Sequence, residues 1–270
     1  MTQFDFSEKI LELLQEKQYV PLQKYLETLN PADIAECMID LLDGEDLDDK
    51  SLLRLFRLLP KELAADTFAE MDADLQEKLI AGFTDRELSE VLEEMFLDDT
   101  VDVIEEMPAS VVKRILKNVD SDTRKSINQL LSYPEDSAGS LMTPEYINLK
   151  KTDTVREALD HIKDVGLDSE TIYTCYVLDR GRKLIGVVSL KSLVISPDTM
   201  KVSDLMHDDP VVAHVDDDQE EVSDLFTRYG YLAIPVVDNE FRLVGIVTVD
   251  DILEVIEEET TEDIERMGGV

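Results

Sequence analysis

Carboxylates crowd three stretches of this chain, and oxygen-only donor sets of that kind suit hard divalent cations such as magnesium or calcium rather than zinc or copper. The first stretch is Asp251, Glu254, Glu257, Glu258 and Glu259, with Glu262, Asp263 and Glu265 just beyond. Asp251, Glu254 and Glu258 fall at i, i+3 and i+7, one stripe of a helix opposite Ile252, Val255 and Ile256. Like charges so placed oppose the helix by about 0.2–0.5 kcal/mol per pair. No lysine stands between residues 243 and 270 to offset them. The second stretch, Asp216-Asp217-Asp218-Gln219-Glu220-Glu221, opens a predicted helix, where the helix dipole favours negative charge. The third, Asp98-Asp99 with Asp102 and Glu105-Glu106, lies in the first half. None has the order of a calcium-binding EF-hand loop. One such run is ordinarily a solvated face. Three in one chain are expected to converge, with cations between surfaces that would otherwise repel.

A second chemistry sits beside the first cluster. Leu243 to Val247 reads as a strand running through Thr248-Val249-Asp250 into a helix, so Thr248 and Asp250 fall at a strand end beside a helix N-terminus. There the threonine suits a phosphate and Asp250 the two hydroxyls of a ribose. Asp250 as a plain helix cap is the equal alternative. The matching residues of an earlier copy, Ser189 and Lys191, carry no carboxylate, so a nucleotide site is expected in the second copy only. Catalysis is not expected. The chain lacks a Walker loop, a dinucleotide glycine fingerprint, a His-Glu-x-x-His motif and a Gly-x-Ser-x-Gly elbow. His161, His207 and His214 are scattered, with no metal-ligand spacing.

The elements that must position these groups fall into two halves. From about Glu8 to Leu131 the apolar residues recur at helical spacing, as in Leu52, Leu53, Leu55, Phe56 and Leu59. Pro31, Pro60 and Pro108 stand where helices begin, and Thr84-Asp85-Arg86-Glu87 and Asp120-Ser121-Asp122 read as N-cap regions. Ala65 to Ala73 is echoed by Val101 to Ala109 at an offset of 36 residues, the period of a stacked helical-hairpin array, with an irregular helical bundle as the alternative. After Ser132-Tyr133-Pro134-Glu135-Asp136 helices and strands alternate. Thr154 to Val165 and Gln219 to Tyr229 are amphipathic helices, each followed by two β-rich runs. Leu184-Ile185-Gly186-Val187-Val188-Ser189 aligns with Leu243-Val244-Gly245-Ile246-Val247-Thr248 at an offset of 59, and Leu141-Met142 with Leu205-Met206 at 64. The difference places a longer helix-to-strand loop at Gly166 to Glu170 in the first of two tandem α/β modules.

The 270 residues hold 62 acidic against 26 basic side chains, a formal charge of −36. Nucleic acid and anionic lipid are thereby poor partners, while small cations concentrate around the molecule. The hydrophobic share of 43% belongs to a globular chain. No window reaches the roughly 20 apolar residues of a membrane span, and the start MTQFDFSEKI is no signal peptide. Cys37 and Cys175 sit in apolar patterns and read as buried thiols of a cytosolic protein.

Tandem modules carrying Gly-Ile-Val-Thr-Val-Asp resemble cystathionine β-synthase (CBS) domains, which pair as regulatory units and often bind adenine nucleotides. Tyr133-Pro134-Glu135-Asp136-Ser137-Ala138-Gly139-Ser140-Leu141-Met142, and the run from Val249-Asp250-Asp251-Ile252 through Glu259-Thr260-Thr261-Glu262-Asp263-Ile264, resemble the MgtE family of bacterial magnesium channels. The resemblance implies an all-α superhelical N domain over 1–133, CBS modules over 134–200 and 201–262, and at 263–270 the start of a connection to a transmembrane pore. It further implies a homodimeric magnesium sensor on the cytoplasmic face of the membrane, closing when Mg2+ bridges its acidic faces. Carried over by motif, the metal ligands are Asp251, Glu254, Glu259, Glu262 and Asp263, with Asp218 and Glu220 in the second module and Asp98 and Asp102 in the helical domain. Asp250, with Thr248, would hold ATP. Gly230 stands where relatives often have an aspartate, and Ser192 replaces the aspartate common after the first module's last strand. The rival expectations are an adenine-nucleotide sensor with merely solubilising acidity, and a helical scaffold that recruits a basic protein.

Overall fold

A computed structural model describes residues 3–44 and 46–268, with side chains described for 6–44, 46–256 and 259–261. The chain divides into two units, Met1–Ile127 and Asn128–Val270.

In the first unit, α1 (Gln3–Gln15), α2 (Tyr19–Leu26) and α3 (Pro31–Asp43) precede a regular series. The series is α4 (Asp49–Phe56), α5 (Lys61–Ala69), α6 (Ala73–Gly82), α7 (Asp85–Leu92), α8 (Leu97–Glu106), α9 (Ala109–Asn118) and α10 (Ser121–Leu130), each helix starting 12 residues after the one before. The residue ahead of each helix keeps the same beat. Asp48, Asp72 and Thr84 accept the backbone N–H three residues on, at 2.8, 2.8 and 3.2 Å. Pro60 and Pro108 occupy N-cap positions, one place ahead of the first turn, whereas Pro31 opens α3 itself.

The 36-residue echo therefore spans three short helices, α5 to α7 onto α8 to α10, and not the two of a hairpin. Helices this short are marginal alone and take their stability from packing. Each lies against the helix two places on, α3 on α5, α5 on α7 and α7 on α9, with α4 on α6 and α6 on α8. Phe56, Phe68 and Phe83 meet in this stack with ring centroids 5.3–6.2 Å apart.

The second unit holds two copies of one module. The first runs β1 (Tyr146–Lys150), α11 (Val155–Val165), β2 (Thr171–Leu178), β3 (Leu184–Ser189), α12 (Leu190–Val194). The second runs β4 (Ala213–His214), α13 (Gln219–Tyr229), β5 (Ala233–Val237), β6 (Leu243–Thr248), α14 (Val249–Gly268). Each sheet places its middle strand parallel to the first and antiparallel to the third. The copies differ where the offsets say they should: α11 continues into a 3-10 turn at Gly166–Asp168, while α13 ends at once on Gly230. Gly230 has φ +66° and bonds its N–H back to Phe226, a left-handed cap that glycine adopts without strain.

The modules are interlocked. The lead-in to the first exchanges two backbone bonds with the last strand of the second, Thr143 with Ile246 at 2.8 and 2.9 Å, and His207 does the same with Val187 at 2.8 and 3.0 Å. A Cβ on Gly245 would stand 2.7 Å from the Met142 sulfur and 2.9 Å from the Thr143 carbonyl, so the strand admits its neighbour only as glycine. Tyr176 joins Leu184, Ala233, Val237, Leu243 and Ile246 in a core that both sheets share. Cys37 and Cys175 are buried, and burial pushes the Cys175 thiol to about 12.

Candidate metal and nucleotide sites

Strand β6 delivers Thr248 to the start of α14, where its hydroxyl donates to Asp251 at 2.7 Å and its N–H reaches the same carboxylate oxygen at 3.3 Å. Thr248 is buried and Asp251 half-buried, while Asp250 is exposed. Burial lifts the Asp251 carboxyl to about 6, against the pull of the Thr248 hydroxyl and with Asp250 and Glu254 adding repulsion. The carboxylate aligned with the threonine is thus three residues on, not two. In the first module Ser189 and Ser192 take the same places, with their hydroxyl oxygens 2.8 Å apart and no carboxylate. A cavity of about 460 Å3 opens beside Ser189, lined by Thr174, Ser189, His207, Asp209, Tyr231 and Pro235 among others.

The second acidic run forms the N-terminus of α13. Asp218 caps that helix by accepting the Glu220 N–H at 2.9 Å. Next to it Gln219 is buried, 8% exposed, and its amide donates to Glu259 of α14 at 2.8 Å. This brings Glu259 to the end of α13 where Asp218 and Glu220 stand exposed, although 40 residues separate Gln219 from Glu259 in the chain. The run of residues before the first module reaches the same place: Ala138 donates to the Asp217 carbonyl at 2.8 Å and Gln219 to the Asp136 carbonyl at 2.9 Å. Glu254 is exposed on α14. The side chains of Glu262 and Asp263 lie outside the described residues.

In the other unit Asp98 and Asp102 share one face of α8 four residues apart; Asp98 is buried and Asp102 exposed. Among the described residues, no group of three or more His, Cys, Asp or Glu side chains is placed to hold a metal ion. Sequence reasoning had no means of finding Gln219, a residue without charge or motif, and it weighed Asp250 equally as a ribose ligand and as a helix cap; in the structure the carboxylate bonded to Thr248 is that of Asp251.

A stack of short helices followed by an interlocked pair of α/β modules is the architecture of a helical N domain joined to a CBS pair. Residues 29–136 match the MgtE intracellular N domain, and residues 138–196 and 202–258 each match the CBS domain. The magnesium transporter MgtE of Thermus thermophilus is 39% identical over 263 residues, 96% of this chain and 57% of the relative. That of Bacillus subtilis is 30% identical over 269 residues, 100% of this chain and 58% of the relative. The crystal structure of the cytosolic domain of the Mg2+ channel MgtE in complex with ATP superposes with a TM-score of 0.83 at 36% identity, covering 92% of this chain and 99% of that one. The soluble part of a magnesium transporter gives 0.87 at 30% identity, covering 96% and 99%. This chain belongs to the MgtE family of magnesium transporters and has the fold of their cytosolic domain. It spans 57–58% of the length of these two curated relatives. Among the described residues no helix is long and apolar enough to cross a membrane.

Proposed function

We propose that this chain is the magnesium-sensing and gating region of a magnesium transporter, working at the cytoplasmic face of a membrane in which its own pore is embedded. Dications recruit carboxylates of the helical unit, Asp98 and Asp102, and of the CBS pair, Asp218, Glu220, Asp251, Glu254, Glu259, Glu262 and Asp263. The neutralised assembly is the closed state. When magnesium falls, like charges separate the parts and the pore opens.

The observation that carries this reading is the Gln219–Glu259 bond, which ties a carboxylate of α14 to the N-terminal end of α13, the helix end that carries the exposed Asp218 and Glu220. The donors are all oxygen, which fits magnesium, and such a cation keeps several waters and uses only a few carboxylates. Incomplete donor sets also suit the energetics. Shifting a conformational equilibrium from 1:99 to 99:1 takes about 5.5 kcal/mol of differential binding, while one coupling supplies about 1–3. Several cations acting together make the response steep. A second copy of the chain pairs through the CBS modules in this account, since Tyr229, Leu232, Leu253 and Ile256 leave apolar surface exposed on the second module.

A nucleotide role rests on a separate observation. The Thr248–Asp251 pair offers a hydroxyl and a carboxylate at a helix start, and a relative of the same fold was crystallised with ATP. In that role Thr248 would meet a phosphate and Asp251, rather than Asp250, the ribose hydroxyls; the first module, with Ser192, offers no such carboxylate.

The test is a magnesium titration at constant ionic strength, read by small-angle scattering and limited proteolysis. The expected result is a smaller radius of gyration and slower cleavage over a narrow range of magnesium. An identical response to potassium reduces the acidic faces to a diffuse ion atmosphere.

A further inference from the structure

Gln219 is buried between charged residues in the sequence, and its backbone and side-chain nitrogens donate to two different parts of the chain. Its backbone N–H goes to the Asp136 carbonyl at 2.9 Å, in the lead-in to the first module. Its amide goes to Glu259 at 2.8 Å, in the long helix that closes the second. Its own helix begins on it, with Asp218 as cap.

A glutamate on an exposed helix samples many rotamers, and ordering it costs up to about 2 kcal/mol. A neutral amide that donates to one carboxylate oxygen fixes the side chain without cancelling its charge, leaving the second oxygen for a cation. Lysine or arginine in the same place would fix it equally well and also neutralise it, competing with the dication. The choice of a carboxamide is the choice a binding group needs from the residue that orients it. The half-buried setting of Glu259 and the 8% exposure of Gln219 protect that bond from water.

We infer that Gln219 is the positioning residue for Glu259, holding it in the conformation that takes magnesium. The inference rests on the sensing role proposed above and adds to it a residue that touches no metal itself.

The experiment compares Gln219→Met, which keeps the length and loses the donor, with Gln219→Lys, which keeps the donor and adds a charge. The full chain is used, magnesium protection of α13 and α14 is followed by hydrogen exchange at constant ionic strength, and thermal stability is recorded without divalent ions. Gln219→Met is expected to raise the magnesium midpoint roughly tenfold. Gln219→Lys is expected to raise the midpoint while also raising the metal-free melting temperature, an opposition that a merely structural role does not produce. On a Glu259→Gln background Gln219→Met should shift nothing further. A responsive wild type with an unmoved Gln219→Met midpoint overturns the positioning role alone. A wild type indifferent to magnesium overturns the sensing role and the positioning role with it.

Discussion

The Thr248 hydroxyl donates to Asp251 across 2.7 Å, and this short contact holds a carboxylate that its surroundings would prefer neutral. Desolvation raises the Asp251 pKa from 3.8 to about 6. The folded state therefore binds the proton more tightly than the unfolded chain, and stability falls as pH rises from 4 to 6. The cost is absent below pH 4, where both states are protonated, and complete above 6. Asp251→Asn is expected to stabilise the metal-free protein at pH 7 by about 1–2 kcal/mol and to weaken its magnesium response. Denaturant melts from pH 4 to 7.5, with and without magnesium, read both effects. A variant no more stable than wild type at pH 7 removes the strain from the account.

Glu87 gives the opposite sign. Arg57 grips its carboxylate at 2.6 and 3.1 Å, and Thr84 donates its N–H at 2.8 Å and its hydroxyl at 3.0 Å, which lowers the pKa from 4.5 to about 2. This stability is present above pH 4.5 and lost as pH falls through 2. Because Arg57 is half-exposed the pair contributes only about 1 kcal/mol. Glu87→Gln should cost that amount at pH 7 and progressively less as pH falls toward 2, measured by urea unfolding.

Gly230 sits at φ +66° with open space where a Cβ would go. Backbone strain alone then sets the cost of substitution. Gly230→Ala should lose about 1 kcal/mol, and Gly230→Asn less, because asparagine enters the left-handed region more readily. Calorimetry that finds the alanine variant as stable as wild type contradicts this cap.

The Tyr176 hydroxyl is fully buried and has no hydrogen-bond partner among the described residues, and its ring packs edge-on against Tyr146 at 5.8 Å. Removing an orphan polar atom while keeping the ring recovers part of its desolvation cost. Tyr176→Phe should raise the free energy of unfolding by about 1 kcal/mol, read by urea denaturation.

Much of this architecture was legible because it repeats. The 59- and 64-residue offsets located both modules, and their difference placed the extra turn now seen at Gly166–Asp168. The 36-residue echo was legible as well, but its length suits a helical hairpin as readily as three helices of 8–10 residues. Only the caps at Asp48, Asp72 and Thr84, spaced in multiples of 12, distinguish the two, and caps carry weak signals when aspartates are abundant everywhere. The candidate site was less legible. Acidic composition marked the regions, yet the choice between Asp250 and Asp251 depends on which one a helix start turns toward Thr248. The partnership of Gln219 with Glu259 depends on two helices packing side by side, which no local pattern encodes.

The central claim is that separated carboxylates act together on dications. Crystals grown with manganese in place of magnesium test it most directly, because manganese scatters anomalously and shares the octahedral oxygen preference. The account predicts anomalous peaks within about 2.5 Å of carboxylate oxygens, with Glu259 and at least one of Asp98, Asp102, Asp218 or Asp251 among the ligands. A map in which all of these carboxylates stand bare at saturating manganese contradicts it.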